Sequence, residues 1–273
     1  MSETAMIPDP AEPILAVDAL RKVFGDHVAV DDVTFTVPKG GSLAIVGESG
    51  SGKTTVAKMI VGLEVPSAGT IWACGQDRSK PARGSSERRR RGREVQIVFQ
   101  DPYTSLDPRQ TVEDTLDEIL KLHHGLDPAR RKARVTELAE LVGLDARQVR
   151  ALPRSLSGGQ RQRVAIARAL AAEPEVMILD ESVAALDVSI QAQVLNLLAD
   201  IREETGISFI LISHDLAVVR QLTDETVVMW QGHIVERGPT GRVLDDPQDD
   251  YTKRLLASVP RPGWKPTRRA VAG

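Results

Sequence analysis

LAIVGESGSGKTTVAKMIVGL, residues 43–63, runs from an apolar segment of strand length through a glycine-rich turn into a helical pattern. That order decides the fold, because a strand, a glycine loop and a helix in succession build a seat for phosphate. The glycines let successive backbone N–H groups face one anion, the start of the helix adds positive potential, and Lys53 brings a point charge for β- and γ-phosphates. Thr54 is placed to ligate Mg²⁺. Gly47, Glu48, Ser49, Gly50, Ser51, Gly52, Lys53, Thr54 and Thr55 are therefore expected to hold a nucleoside triphosphate. A chance glycine-rich turn is the bland alternative, and the flanking strand and helix patterns argue against it.

Outward from this loop, other short apolar runs end at polar residues: VQIVF before Gln100, VMIL before Asp180 and FILI before Ser213. They read as buried strands, and alternation with helical patterns such as Ile190, Val194, Leu197, Leu198 and Ile201, stopped at Gly206, implies a parallel sheet. Between Thr111 and Gly143 two apolar stripes form a helical insert, with Asp127 as a cap and Pro128 at the first helical position. ILAVDAL and VTFTV alternate near the N-terminus, and VVMWQGHIVERG reads as a hairpin around Gln231 and Gly232. These are edge or antiparallel additions.

The chain has 273 residues, enough for one large or two modest domains, a formal net charge of -3 and 3% aromatic residues. Neither the charge nor the scarcity of rings favours nucleic acid. Cys74 is the only cysteine, so the chain holds no internal disulfide and no cysteine-rich metal cluster, which suits a reducing cytosol. The opening MSETAMIPDPAEP lacks the basic start and apolar run of a signal peptide, and no segment has the length of a membrane span. Membrane contact would come through a partner. The basic run RSKPARGSSERRRRGR, residues 78–93, reads as a solvated loop, since no aromatic residues interleave with the charges.

Asp180 and Glu181 arrive together at the carboxyl end of VMIL, the side where open α/β sheets bind ligands. Adjacent carboxylates repel, and a cation held by Thr54 and phosphate would relieve them. Asp180 would serve that metal, while Glu181 could take a proton from an attacking water. Gln100 and His214 follow their own strands at comparable positions and could aim polar tips at the same γ-phosphate. Isolated turn acids and a structural histidine are the bland readings. One further stretch is unexplained by these strands: SLSGGQRQRVAIARAL, residues 155–170, opens a helix with serine and glycines but carries no lysine.

GESGSGKT, Gln100, LSGGQ, the LDE acids, AALD and SHD stand in the order and spacing of an ATP-binding cassette, and the resemblance covers almost the whole chain. VFQDPYTSLDPR, DESVAALDVSIQAQVLNLL, FILISHDLAVVR and YTKRLLASVP resemble the ATPase subunits of oligopeptide, dipeptide and nickel permeases, and QDPY with GGQRQR resembles the second ATPase of such pairs. This resemblance implies an α/β fold with a P-loop ABC ATPase core, an antiparallel β-subdomain and a helical signature subdomain. The cassette would span residues 1–258, its helical subdomain about 101–172, with a Pro/basic tail over 259–273.

The family's roles fall on matching residues. Phe24 would stack on adenine, a core phenylalanine being the bland reading. Gln100 would sense Mg²⁺ and the attacking water, joining Thr54 and Asp180 at the metal. Ser157, Gly158, Gly159 and Gln160 would close over ATP held by another subunit, with Asp187 in the cross-dimer loop. Glu181, His214, Gln100 and Lys53 would be the catalytic set. Ser182 stands where proline is usual, Ala185 where serine is frequent, and Asp249 and Asp250 where His-Pro commonly precedes Tyr-Thr.

The implied function is a Mg²⁺-dependent ATPase energising an importer of peptides, from the cytoplasmic face of the inner membrane. Its partners would be two permease subunits, a second ATPase subunit in a heterodimer or a second copy in a homodimer, and indirectly an extracytoplasmic solute-binding protein, with no nucleic acid. Import of nickel or a metal chelate stays open. A soluble ATPase acting on ribosomes or DNA would usually carry two cassettes or a long coiled coil, and a rarely hydrolysing regulator is disfavoured by Glu181 and His214.

Overall fold

The computed structural model describes residues 13–100, 105–182 and 188–258, the side chains of 188 and 189 excepted. In chain order the elements are β1 (Leu15–Phe24), β2 (His27–Val37), β3 (Ser42–Val46), α1 (Lys53–Ile60), β4 (Ala68–Ala73), β5 (Gln76–Asp77), α2 (Ser85–Glu94) and β6 (Val95–Val98). Next come α3 (Val112–His124), α4 (Pro128–Leu141), α5 (Ala146–Val149), a 3₁₀ turn at Pro153–Ser155 and α6 (Gly158–Leu170). The remainder is β7 (Val176–Asp180), α7 (Val188–Thr205), β8 (Ser208–Ile212), α8 (Leu216–Leu222), β9 (Glu225–Trp230), β10 (His233–Pro239), α9 (Thr240–Asp245) and α10 (Asp250–Ser258).

Every residue of β3, β7 and β8 is buried, as expected of strands covered on both faces. They lie in a sheet ordered β10-β9-β3-β8-β7-β6, in which β9, β3, β8, β7 and β6 run parallel and β10 returns antiparallel. Alternate side chains separate two cores. Ala44, Val46, Leu179 and Leu211 join the helical side with Leu116, Leu138, Ile166 and Leu198. Leu43, Ile45, Ile178 and Ile210 join α1 residues Val56, Met59 and Ile60 and the antiparallel strands. Each fully buried aliphatic side chain contributes about 1.5–3 kcal/mol, so the sheet holds its register against a shift that would swap the two faces.

A second sheet, ordered β2-β1-β4-β5, is antiparallel throughout. It covers α1 on the face turned away from the helical insert, placing the start of α1 between the two sheets. In the insert, Thr111 and Asp114 form a capping box for α3, Gly125 ends it with φ 59°, and Asp127 accepts from Arg130 N–H at 2.9 Å to cap α4. The hairpin of β9 and β10 turns at Gln231 and Gly232, with φ 48° and 86°, the positive pair that a two-residue turn requires.

The basic run departs from the expected loop, for its second half is α2. None of the residues of α2 is buried, so apolar periodicity gives no sign of it. Arg91 pairs with Glu87 and Arg90 with Glu94 one helical turn apart, and such pairs support an exposed helix. Arg78 is buried, bonded to the carbonyls of Ala73 and Arg91 and to the Glu94 carboxylate. It ties both ends of the run to the body of the protein.

Candidate functional site

The carboxyl ends of four parallel strands converge on one edge of the sheet. β3 leads into Gly47–Gly52, β7 delivers Asp180 and then Glu181, β8 delivers Ser213 and His214, and β6 delivers Gln100, which is exposed. Two glycines are dictated by space. A Cβ on Gly47, at φ 150°, would lie 2.2 Å from the Met229 carbonyl oxygen, and one on Gly52, at φ 103°, 2.5 Å from that of Ala29. A side chain at either position would push the loop off the sheet.

The loop opens α1 at Lys53 without a side-chain cap and without an acidic residue in the first turn. The first-turn amides of Lys53, Thr54 and Thr55 have no partner inside the helix, which leaves a seat for an anion. Lys53, 5% exposed, donates from Nζ to the carbonyls of Gly47 at 2.8 Å and Glu48 at 2.7 Å and to Ser51 Oγ at 3.3 Å. Burial holds its ammonium below the ordinary lysine range, against the opposing pull of Glu181, Asp180 and Glu48.

Thr54 Oγ1 donates to Asp180 Oδ1 at 3.3 Å. Burial pushes the Asp180 carboxyl above its usual range and the Glu181 charge adds to this, while the Thr54 bond and Lys53 pull it down. Among the described residues no group of three or more His, Cys, Asp and Glu could hold a metal ion. A divalent cation at Thr54 and Asp180 would therefore take most of its remaining shell from phosphate and water, with Gln100 at most one further ligand, which suits Mg²⁺. A buried carboxylate short of positive charge beside an uncapped helix start fits that cation and a polyphosphate together.

Glu181 sits at φ 47°, uncommon for a residue with a side chain, and its N–H donates to the Ile212 carbonyl at 2.8 Å. His214 follows β8, and its Nδ1 lies 3.5 Å from Glu181 Oε1. Glu181 lines a cavity of about 300 Å³ with Ser49, Gly50, Lys53, Thr54, Thr55 and Phe24. Phe24 is 44% exposed, not a core residue, and the Lys22 ammonium stands 4.7 Å from its ring centroid.

SLSGGQ forms a different seat. Ser157 caps α6, accepting from Gln160 N–H at 3.3 Å, while Gln160 Oε1 accepts from Ser157 N–H at 2.8 Å. Gly159 packs on Ile190, whose Cγ2 would lie 2.4 Å from an added Cβ, whereas Gly158 has open space around it. Ser157, Gly159 and Gln160 line a separate cavity of about 360 Å³ with Arg163, Ile190 and Gln193, sharing no residue with the cavity at Lys53. Within the chain, the two seats are not brought together.

Asp187 and Ala185 lie outside the described residues. Ser182, in the usual proline position, is buried with an unpartnered hydroxyl. Asp249 accepts from the N–H groups of Tyr251 at 2.8 Å and Thr252 at 3.3 Å, so the departure at this position supplies a cap for α10. His27 and Ala29 also line the cavity at Lys53, and the Tyr251 hydroxyl accepts from Glu48 N–H at 3.0 Å. No local pattern marks His27 or Ala29. Tyr251 stands in YTKRLLASVP, where its ring is visible in the sequence but its distant contact is not.

The ABC transporter family matches residues 30–184. A putative peptide import ATP-binding protein of Brucella abortus is 47% identical over 248 residues, covering 90% of this chain and 73% of the relative. The dipeptide transport ATP-binding protein DppF of Escherichia coli is 43% identical over 233 residues, covering 85% and 69%. Among solved structures, the dimeric ATP-binding cassette MJ0796 in a post-hydrolysis state with ADP and Pi superposes with a TM-score of 0.75 at 26% identity, covering 83% of this chain and 98% of that one. A glycine loop with a buried lysine, paired acids at a strand end and a lysine-free second seat thus occur together in a chain that belongs to the ABC transporter family.

Proposed function

We propose that this chain is the Mg²⁺-dependent ATPase subunit that energises a peptide importer, working as one half of a pair. The observation that carries this reading is the line Thr54, Asp180, Glu181 and His214 along one sheet edge, facing the Lys53 loop while the second seat faces elsewhere. The nucleotide loop and Lys53 hold the phosphates, and Phe24 offers a ring face to the base. Thr54 and Asp180, with Gln100, hold Mg²⁺, which when bound neutralises charge developing on the phosphates. Glu181 accepts the proton of the attacking water and His214, beside it, fixes the direction of its carboxylate. Ser157, Gly158, Gly159 and Gln160 serve the γ-phosphate held by a partner, and Asp187 is assigned to the same cross-dimer junction by the family resemblance alone.

Among the described residues no helix is long and apolar enough to cross a membrane. On the family resemblance, the reading places two permease subunits beside the ATPase pair at the cytoplasmic face, and the GGQRQR resemblance favours a related ATPase as the second half. The peptide cargo follows from what the relatives in Brucella abortus and Escherichia coli are named for.

The decisive variant is Glu181→Gln, measured for ATP turnover and for ATP-dependent association of two chains by light scattering. Turnover is expected to fall about 10²- to 10⁴-fold, the usual worth of a positioned base, with association retained. Normal turnover would overturn the assignment of Glu181. Capture of permease subunits by the tagged chain, against capture of ribosomes or DNA, tests the transport role.

A further inference from the structure

The nucleotide loop is held by α10, the last of the described helices. Tyr251, 6% exposed on α10, accepts from the N–H of Glu48 at 3.0 Å. Its ring stacks on Trp230 with centroids 5.5 Å apart and planes at 26°. Trp230 opens the β9–β10 turn, and Gly232 in that turn donates to the Ser51 carbonyl at 3.1 Å. The loop is thus held at Glu48 by a side chain and at Ser51 by a backbone amide. α10 is itself moored, because the Glu236 carboxylate on β10 accepts from Gln248 N–H at 2.8 Å and Asp249 N–H at 3.1 Å.

Glu48 is constrained on both sides, for its carbonyl accepts from Lys53 Nζ at 2.7 Å while its N–H is taken by Tyr251. The Tyr251 bond therefore bears on the residue that shapes the lysine's resting place. A loop already curled when the nucleotide arrives spends less binding energy on ordering, and affinity rises accordingly.

We propose that Tyr251 is a positioning residue of the nucleotide loop, so that the docking of α10 on β10 sets the affinity of the chain for ATP. This rests on the reading of the Lys53 loop as the ATP site. Tyr251 does not line the cavity at Lys53; it acts through Glu48. The aromatic stack and the Glu236 mooring keep the hydroxyl in place, and movement of α10 away from β10 would release Glu48.

The test uses the full chain titrated calorimetrically with ATP and Mg²⁺, with steady-state turnover and thermal melting alongside. Tyr251→Phe keeps the ring and removes the acceptor. It is expected to raise the dissociation constant and KM for ATP about three- to tenfold, the scale of one hydrogen bond, with kcat and melting temperature nearly unchanged. Tyr251→Leu, which also removes the stack, is expected to weaken ATP binding further. If Tyr251→Phe binds ATP as the native chain does, or lowers kcat as much as kcat/KM, the proposal is wrong. Lys53→Ala separates the two readings. If it weakens binding while Tyr251→Phe does not, only the positioning role fails; if Lys53→Ala also binds ATP normally, the loop is not the ATP site and both fail.

Discussion

Two helices in this protein begin with glycine-rich sequence, and their first turns are treated in opposite ways. At α1 the N-terminus is left without a side-chain cap, and a buried lysine is parked on the loop's own carbonyls. At α6, Ser157 and Gln160 satisfy each other in a capping box. The first seat is incomplete without an anion, and the second is complete alone. The difference matches the division of labour proposed for them: one binds ATP within its own chain, and the other engages only when a partner presents phosphate.

The largest effect expected is at the self-sufficient seat. Ser157→Arg places a long cation where a partner's nucleotide would arrive, so ATP affinity at Lys53 should change less than about twofold while turnover falls by 10²-fold or more, the scale of losing an electrostatic donor in the reacting state. Equal loss of binding and turnover would show that the two seats are not separate.

Next comes a pair of neighbouring glycines. Gly159→Ala meets Ile190 and should destabilise the fold by about 1–3 kcal/mol, the cost of overpacking. Gly158→Ala meets nothing within 4 Å and should leave melting unchanged, so any loss of turnover it causes reports on a partner. Melting curves for both variants check this, and equal destabilisation would erase the distinction.

The smallest effect belongs to the open seat. Burial, then the Glu181 charge, raise the Asp180 pKa in spite of Thr54 and Lys53. The folded state then binds this proton more tightly than the unfolded chain does. The ionised carboxylate accordingly costs stability, and that cost is absent below the ordinary aspartate value of 3.8 and grows as pH rises through the window up to the raised value. Asp180→Asn should stabilise the nucleotide-free chain at neutral pH by about 1 kcal/mol, as other substitutions that relieve strained sites do. An unchanged or lower melting temperature at pH 7 would contradict the picture of a seat in need of its ligand.

Much of this arrangement is legible in the sequence because it is local. Apolar runs of strand length mark β3, β6, β7 and β8, and GESGSGKT and SLSGGQ announce their turns, as Asp127 and Pro128 announce a helix start. The α2 helix is not legible by period, since charge pairs between Glu87 and Arg91 and between Arg90 and Glu94 hold it where no apolar stripe exists. The hold of Tyr251 on Glu48 spans 203 positions in the chain, and nothing in either neighbourhood encodes the other. His27 and Ala29 reach the cavity only because the antiparallel sheet folds over α1.

The positive φ of Glu181 has an evolutionary side. A glycine there would adopt φ 47° freely, relieving about 1 kcal/mol or more of backbone strain. Selection for thermal persistence alone would therefore drift toward glycine and discard the carboxylate. If Glu181 is the base proposed for it, the strain of φ 47° is what the fold bears to keep a carboxylate at this strand end.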